Sequence, residues 1–599
     1  MKWNINRLKS YPLWRLIGIV WSSSPRWSSV YLFFLTIRGV LPLLQLYVLK
    51  LVIDAVAGGI NSTDISNTFR EVLIYLLIAG VVQLVSVLLD EVGRGINSIH
   101  VQYLSDHIHN IIHTKSVEID LEYYENSRYH DTLHRAQQEA TTRPQRLLNN
   151  LSDIVQNSVS VIAIAGLLFS LKWFIALVLV VAVLPGVFVR IRFSKIMYAW
   201  IRKRTETNRL AYYYSWLMTR YSHAKEIRIF GLGRYFVGKY REIRKTLRTE
   251  MSRLIVRRTK MELPAQAFGG VVIFGVYAYI GYMTIIGTIT LGAFVMYLQA
   301  FRRGLGFLKQ MARGMTGIIE NNMFISNLFE FLDLQPKIVT STDSLPFPHA
   351  ITEGITFNQV SFQYPNSNRT VLHNITLSII PGEIVAIVGA NGSGKTTLIK
   401  LLCRLYDPTV GKILIDDVDI CRYNLTSLRC GISVIFQDWA KYQFSAADNI
   451  RLGNIEQPPE IDRIYSSAGQ VGADEFINRL PEGYDNMLGN WFDKGIELSV
   501  GEWQKIALAR ALYREAQIIV LDEPMSSLDV QTEHDVIFSL RKKLKDKLTI
   551  LISHRLSTLR MADRIIVLEE GKIIEQGSHK ELLCKKGVYS QMYETQIRQ

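Results

Sequence analysis

The chain has 599 residues, 48% of them hydrophobic, a mean hydropathy of +0.13, and a formal net charge of +15 from 68 Lys and Arg against 53 Asp and Glu. That length calls for two or more domains, and the apolar content directs attention to membrane spans before a soluble fold. The four cysteines (Cys403, Cys421, Cys430 and Cys584) all fall in the last third and form no CxxC pair, which argues against a disulfide framework or a zinc module and fits a reducing compartment.

At the N-terminus, residues 1–21 mix basic and apolar positions without a clean apolar core or a small-residue cleavage site. This pattern predicts an amphipathic helix on the cytoplasmic leaflet rather than a signal peptide. Six apolar runs follow, near Val30–Ile53, Val72–Val92, Ser158–Leu171, Trp173–Val189, Ala267–Ile286 and Leu291–Phe307. A membrane-crossing helix needs about 20 such residues. Runs three and four share a hairpin at Leu171-Lys172-Trp173, and runs five and six are nearly contiguous. Long, polar, helix-patterned stretches separate runs two and three and runs four and five. The second carries Arg190, Arg192, Lys195, Arg202, Lys203 and Arg204, and later Arg257, Arg258 and Lys260. Short loops on the other side hold few basic residues, so the positive-inside rule places both termini and both long stretches in the cytoplasm. Positive charge of this size also suits nucleic acid, but six apolar spans do not, and no nucleic-acid partner is expected. The pairs His109/His113 and His130/His134 are spaced i,i+4 without an HExxH pattern, and a structural role is expected for them.

A Pro-containing linker, Leu334–Ala350, closes the membrane region. From Ile351 short β-rich runs alternate with helical ones, as in an α/β domain. The expected organisation is therefore a transmembrane domain over 1–333, a linker over 334–350 and a nucleotide-binding domain over 351–599.

The strongest signal is Gly389-Ala-Asn391-Gly392-Ser393-Gly394-Lys395-Thr396, a complete G-x-x-x-x-G-K-[ST] phosphate loop followed by Thr397. Glu383–Val388 before it reads as a strand and Thr397–Leu402 after it as a helix, the context the motif needs. Backbone N–H groups would curl around the phosphates of ATP, Lys395 would reach the β- and γ-phosphates, and Thr396 would hold Mg²⁺. Further on, Ile518-Ile-Val-Leu-Asp522-Glu523-Pro524 is an apolar strand ending in two carboxylates. Asp522 suits Mg²⁺, through water, and Glu523 suits a general base that polarises the attacking water.

With Leu498-Ser499-Val500-Gly501-Glu502 and Trp503-Gln-Lys-Ile-Ala-Leu-Ala-Arg510, the chain resembles the ATP-binding cassette (ABC) transporters. The resemblance covers essentially the whole chain and implies further roles. Tyr364 would stack on adenine, Gln437 would be the Q-loop glutamine that meets Mg²⁺ and the water, and Ser527-Leu528-Asp529 the D-loop. His554 would be the switch histidine. Ser499, Gly501 and Glu502 would contact ATP held by a second subunit. Two positions depart from the family's usual LSGGQ signature: Val500 replaces a glycine and Glu502 a glutamine. Asp417 also occupies a turn position where glycine is common.

The order of the parts resembles type I (type IV) exporters. It implies a membrane α-helical bundle of six transmembrane helices with long cytoplasmic extensions, followed by an α/β P-loop cassette. The expected assembly is a homodimer that hydrolyses ATP to drive alternating access, with coupling segments near Tyr123–Tyr129 and Glu226–Gly231. The bacterial plasma membrane, with its lipid as surroundings, is the expected location, the cassette being cytoplasmic. Arg38 and Gln45 in span one, and Gln83 and Asp90 in span two, are each seven apart on one helix face. Arg38 is expected to line the pathway and favour polar or anionic cargo. Gly489-Asn-Trp-Phe and the signature region are similar to stretches of peptidase-less exporters of lanthipeptide-type peptides, so peptide export is the first expectation. A flippase for lipid or lipid-linked glycan, a multidrug pump and an ATP-gated regulator without transport are the alternatives.

Overall fold

The computed structural model describes residues 12–60, 65–125, 133, 143–365, 367–525, 536, 539, 541 and 547–598. Two compact units emerge: Met1–Val117 with Asp131–Leu334, and Glu118–His130 with Gln335–Gln599.

Helices dominate the N-terminal part: α1 Pro12–Ser23, α2 Pro25–Gly59, α3 Ile65–Glu118, α4 Leu121–Tyr124, α5 Arg143–Leu171, α6 Trp173–Lys203, α7 Thr205–Thr219, α8 Tyr221–Ile229, α9 Gly233–Ile285 and α10 Leu291–Leu332. Of the described helices, α2, α3, α5, α6 and α9 are long and apolar enough to cross a membrane. The sixth predicted run lies in α10, where Arg302 and Arg303 dilute its hydropathy. All six helices outrun their apolar segments. In α5, for example, the ladder begins fifteen residues before the predicted span, through Asn149, Asn150 and Asp153, because an α-helix satisfies its own backbone whatever its side chains.

The bundle core joins α2, α5, α6, α9 and α10 around Leu46, Ile164, Leu179, Ile280 and Phe301. Without water to drive apolar surfaces together, small residues matter at such contacts. An added Cβ on Gly39 would meet Val159 at 2.7 Å. Beside the core, α2 and α3 exchange polar contacts. Arg38 Nε donates to Asp90 Oδ1 at 2.7 Å, and the Gln45 amide, 3.4 Å from Gln83 Oε1, also accepts from Arg303 Nη1 at 2.9 Å. Arg38, expected from the sequence to line the pathway, is ion-paired with Asp90. Helix α1 is likewise tied to protein, with Leu16 buried and Arg15 held bidentate by Asp333 at 2.7 and 2.9 Å. The His109 and His113 rings lie 5.9 Å apart; His130 and His134 lie outside the described residues.

The second unit carries two sheets. One has the order β2-β1-β4-β5, formed by β1 Ile355–Gln363, β2 Thr370–Ile379, β4 Val410–Ile415 and β5 Val418–Asp419, all antiparallel. The other has the order β10-β9-β3-β8-β7-β6, formed by β3 Ile384–Val388, β6 Ile432–Ile435, β7 Ile518–Asp522, β8 Leu548–Ile552, β9 Arg564–Glu569 and β10 Lys572–Gly577. Here β9, β3, β8, β7 and β6 run parallel, and β10 closes the edge antiparallel. Strands β3, β7 and β8 are buried at every residue, as the continuous apolar runs require. Alternate side chains feed two cores. Ile384, Ala386 and Val388 pack with Trp503 and Ile506 of helix α12, Val500–Tyr513, on one face; Val385 and Ile387 pack on the other with Leu398 and Ile399 of helix α11, Lys395–Leu402. All four cysteines are free thiols, and burial pushes the Cys403 thiol up to about 12.

Candidate nucleotide site

Ligands in parallel α/β sheets gather at the carboxyl ends of the strands. The four adjacent strands β3, β8, β7 and β6 end there on the phosphate loop, the His554 turn, the Asp522–Glu523 pair and the Gln437 turn. Four segments far apart in sequence thus converge because the strand order places them side by side.

The phosphate loop needs glycine in two places for reasons the geometry makes plain. An added Cβ on Gly389 would sit 2.0 Å from the Leu568 carbonyl oxygen, and Gly394 caps α11 at φ +108°, where L-residues are strained. Lys395 is buried and closes the loop, donating to the carbonyls of Gly389 at 2.7 Å and Ala390 at 3.0 Å; burial holds its pKa below the ordinary lysine value. Ser393 Oγ is buried with no hydrogen-bond partner. An orphaned hydroxyl beside a buried ammonium and a helix N-terminus fits the phosphates of ATP. Asn391 and Gly392 occupy the exposed turn between them.

Thr396 Oγ1 donates to Asp522 Oδ2 at 3.0 Å. Asp522 is 2% exposed, and burial raises its pKa. Glu523 adopts the left-handed conformation, φ +49°, and its N–H donates to the Ile552 carbonyl of β8 at 2.8 Å. That turn aims its carboxylate at two partners. Gln437 Nε2 donates to Glu523 Oε2 at 3.1 Å, and His554 Nε2 lies 3.5 Å from Glu523 Oε1. Burial lowers the His554 pKa, which favours the neutral imidazole. Tyr364 packs edge-on against Phe362 and Tyr406, and its hydroxyl shares a 3.0 Å hydrogen bond with Thr397.

The signature residues sit at the start of α12. Ser499 caps the helix, and Glu502 replies: its Oε2 accepts from Ser499 N–H and Ser499 Oγ, both at 2.8 Å. This capping box gives a local reason for a side-chain acceptor at this position, which either glutamate or the family's usual glutamine supplies. Glutamine can accept the same bonds, so Glu502→Gln should keep the cassette's stability while Glu502→Ala lowers it by about 1 kcal/mol. Thermal unfolding of the purified protein measures both. Val500 points outward and is exposed. Asp417 is in the left-handed conformation at φ +59°, as is Asp416 at φ +48°, whose carboxylate accepts from the N–H groups of Thr352, Glu353 and Gly354. The D-loop, Ser527–Asp529, lies outside the described residues.

Three residues without an assigned role join the site's surroundings. Glu125, just after α4, accepts from Lys400 Nζ and from the Tyr406 hydroxyl, both at 2.6 Å. Lys400 lies on the phosphate-loop helix, with its ammonium 5.6 Å from the Tyr364 ring centroid. Glu125 falls within the first coupling segment foreseen from sequence; nothing in the sequence pairs it with residues 275 and 281 positions away. On the second foreseen segment, Glu226–Gly231, Ile229 and Phe230 are exposed.

The geometry defines a P-loop ATPase joined to a membrane bundle. Residues 372–526 match the ABC transporter family, and 29–305 match the ABC transporter transmembrane region. The chain is 31% identical over 572 residues to the subtilin transport ATP-binding protein SpaT of Bacillus subtilis, covering 94% of this chain and 90% of the relative. It is 28% identical to the nisin transport ATP-binding protein NisT of Lactococcus lactis, over 94% and 93%. It is 39% identical over 331 residues to the ATP-dependent lipid A-core flippase of Syntrophus aciditrophicus, over 55% and 54%. Its fold is similar to that of a bacterial Atm1-family ABC exporter solved with ATP bound, with a TM-score of 0.81 and 24% identity over 95% of this chain and 98% of that one. The chain belongs to the ABC transporter family: an integral membrane exporter with its ATPase domain fused behind the membrane domain.

Proposed function

We propose that the chain exports a modified peptide, as a homodimer in a bacterial plasma membrane with its cassettes in the cytoplasm. The observation that carries the cargo class is the extent of similarity. The subtilin and nisin transport relatives align over 94% of the chain, the lipid A-core flippases over 55% to 74%. Flippases reach 39% identity where they do align, which keeps lipid translocation as the second reading.

In this reading ATP lies on the phosphate loop, with Tyr364 against the base and Lys395, Ser393 and the loop N–H groups on the phosphates. The buried Asp522 carboxylate, Thr396 Oγ1 and the Gln437 amide oxygen would hold Mg²⁺. When bound, Mg²⁺ neutralises charge on the β- and γ-phosphates. Glu523 receives a proton from the attacking water; Gln437 holds its carboxylate in place and His554 stands beside it. Ser499, Gly501 and Glu502 of a second copy close the site, since one chain carries one phosphate loop and one signature. ATP binding favours the closed pair, hydrolysis the open one, and the bundle alternates with them.

Mass spectrometry of the medium, the cytoplasm and the membrane lipids, in cells carrying the native chain or Glu523→Gln, tests the cargo. Peptide export requires a peptide that disappears from the medium and accumulates inside. An unchanged medium with a lipid or glycan precursor piling up replaces it with the flippase reading.

A further inference from the structure

The membrane unit contains a cavity of about 330 Å³ enclosed by α6, α9 and α10. Its polar lining is lopsided: Arg190, Lys309 and Arg313 against Glu262. Glu262 is already engaged, accepting from Arg258 Nε at 2.9 Å. Among the described residues, no carboxylate lies within ion-pair distance of Arg190, Lys309 or Arg313. Glu262 and Glu320 act on Arg190, and Asp153 on Arg313, from beyond ion-pair distance. The cavity thus presents a net excess of cation, and Arg190 is half-buried within it.

The cavity's depth is legible from the chain. It begins where the predicted fourth, fifth and sixth apolar runs end, on the side of the Lys- and Arg-rich stretches. Its apolar wall is built from small residues. Gly269 brings α9 within reach of the Ala182 carbonyl of α6, where an added Cβ would lie at 3.5 Å. Pro185 and Pro264 each interrupt the hydrogen-bond ladder of their helix at this level.

An excess of cation between membrane helices, on their basic-flanked side, matches an anionic headgroup. We infer that this cavity binds the phosphate headgroup of an anionic phospholipid. Basic hollows between membrane helices on the basic-flanked side have this chemistry. The inference does not depend on the cargo.

Native mass spectrometry of the full-length protein, offered phosphatidylglycerol and phosphatidylcholine together, reads the preference. The native chain should retain phosphatidylglycerol selectively. The double change Lys309→Gln with Arg313→Gln should weaken the preference about five-fold for each cation removed, while Lys309→Arg preserves it. Arg190→Gln supplies a second test if the double variant fails to assemble. An unchanged preference in assembled variants overturns the site. Displacement of the lipid by millimolar inorganic phosphate as readily as by a short-chain phosphatidylglycerol overturns the lipid assignment and leaves a small-anion site.

Discussion

Glu523→Gln will bind ATP with nearly unchanged affinity and hydrolyse it slower by roughly two to four orders of magnitude. The substitution is close to isosteric and keeps an acceptor for Gln437 Nε2, now 3.1 Å away. It leaves the phosphate loop, Lys395 and the Thr396–Asp522 contact untouched. What it removes is the carboxylate that can take a proton from water. The backbone should tolerate it, because the left-handed turn at Glu523 is held by its N–H to Ile552, a bond any residue but proline can make. Phosphate release and nucleotide retention, measured on the same purified sample, decide the matter. Loss of both together would place Glu523 in the fold of the site rather than in its chemistry.

Glu125→Ala will disconnect ATP turnover from transport. The side chain makes two charge-assisted hydrogen bonds, to Lys400 and to the Tyr406 hydroxyl. Each contributes on the order of 1 kcal/mol, the Lys400 pair being partly exposed, so their joint loss corresponds to about a 30-fold shift in a two-state equilibrium. Lys400 stands on the helix that begins with Lys395, and the Tyr364 ring lies beside its ammonium. A pull on Glu125 therefore reaches the phosphate loop through one rigid helix. Basal hydrolysis should persist in the variant, while export, and any stimulation of hydrolysis by cargo, fall together by at least tenfold. Retained stimulation in a stably folded variant would assign the contact to stability alone. Lys400→Ala should reproduce the export defect if the pair acts as a unit.

Chemistry was readable in the chain wherever a residue's role depends on its neighbours in sequence. The phosphate loop is such a case: glycines, lysine and threonine lie within eight positions because one tight turn between a buried strand and a helix must present them all. Apolar runs announced membrane helices for the same reason, since a bilayer reads one helix at a time. Glu502 in the capping box is equally local, three residues from its partner.

Long-range pairing was decided only by the tertiary structure. The strand order β3-β8-β7-β6 brings Gln437, Glu523 and His554 together, and no spacing in the sequence encodes which parallel strands lie side by side. Arg38 and Asp90 both stood out within apolar spans, and only the packing of α2 on α3 pairs them across 52 residues. Glu125 found Lys400 across 275 residues, and three cations from two helices met around one hollow. Each of these depends on how finished helices and strands pack, and packing is set by the summed shape of many side chains rather than by any one motif.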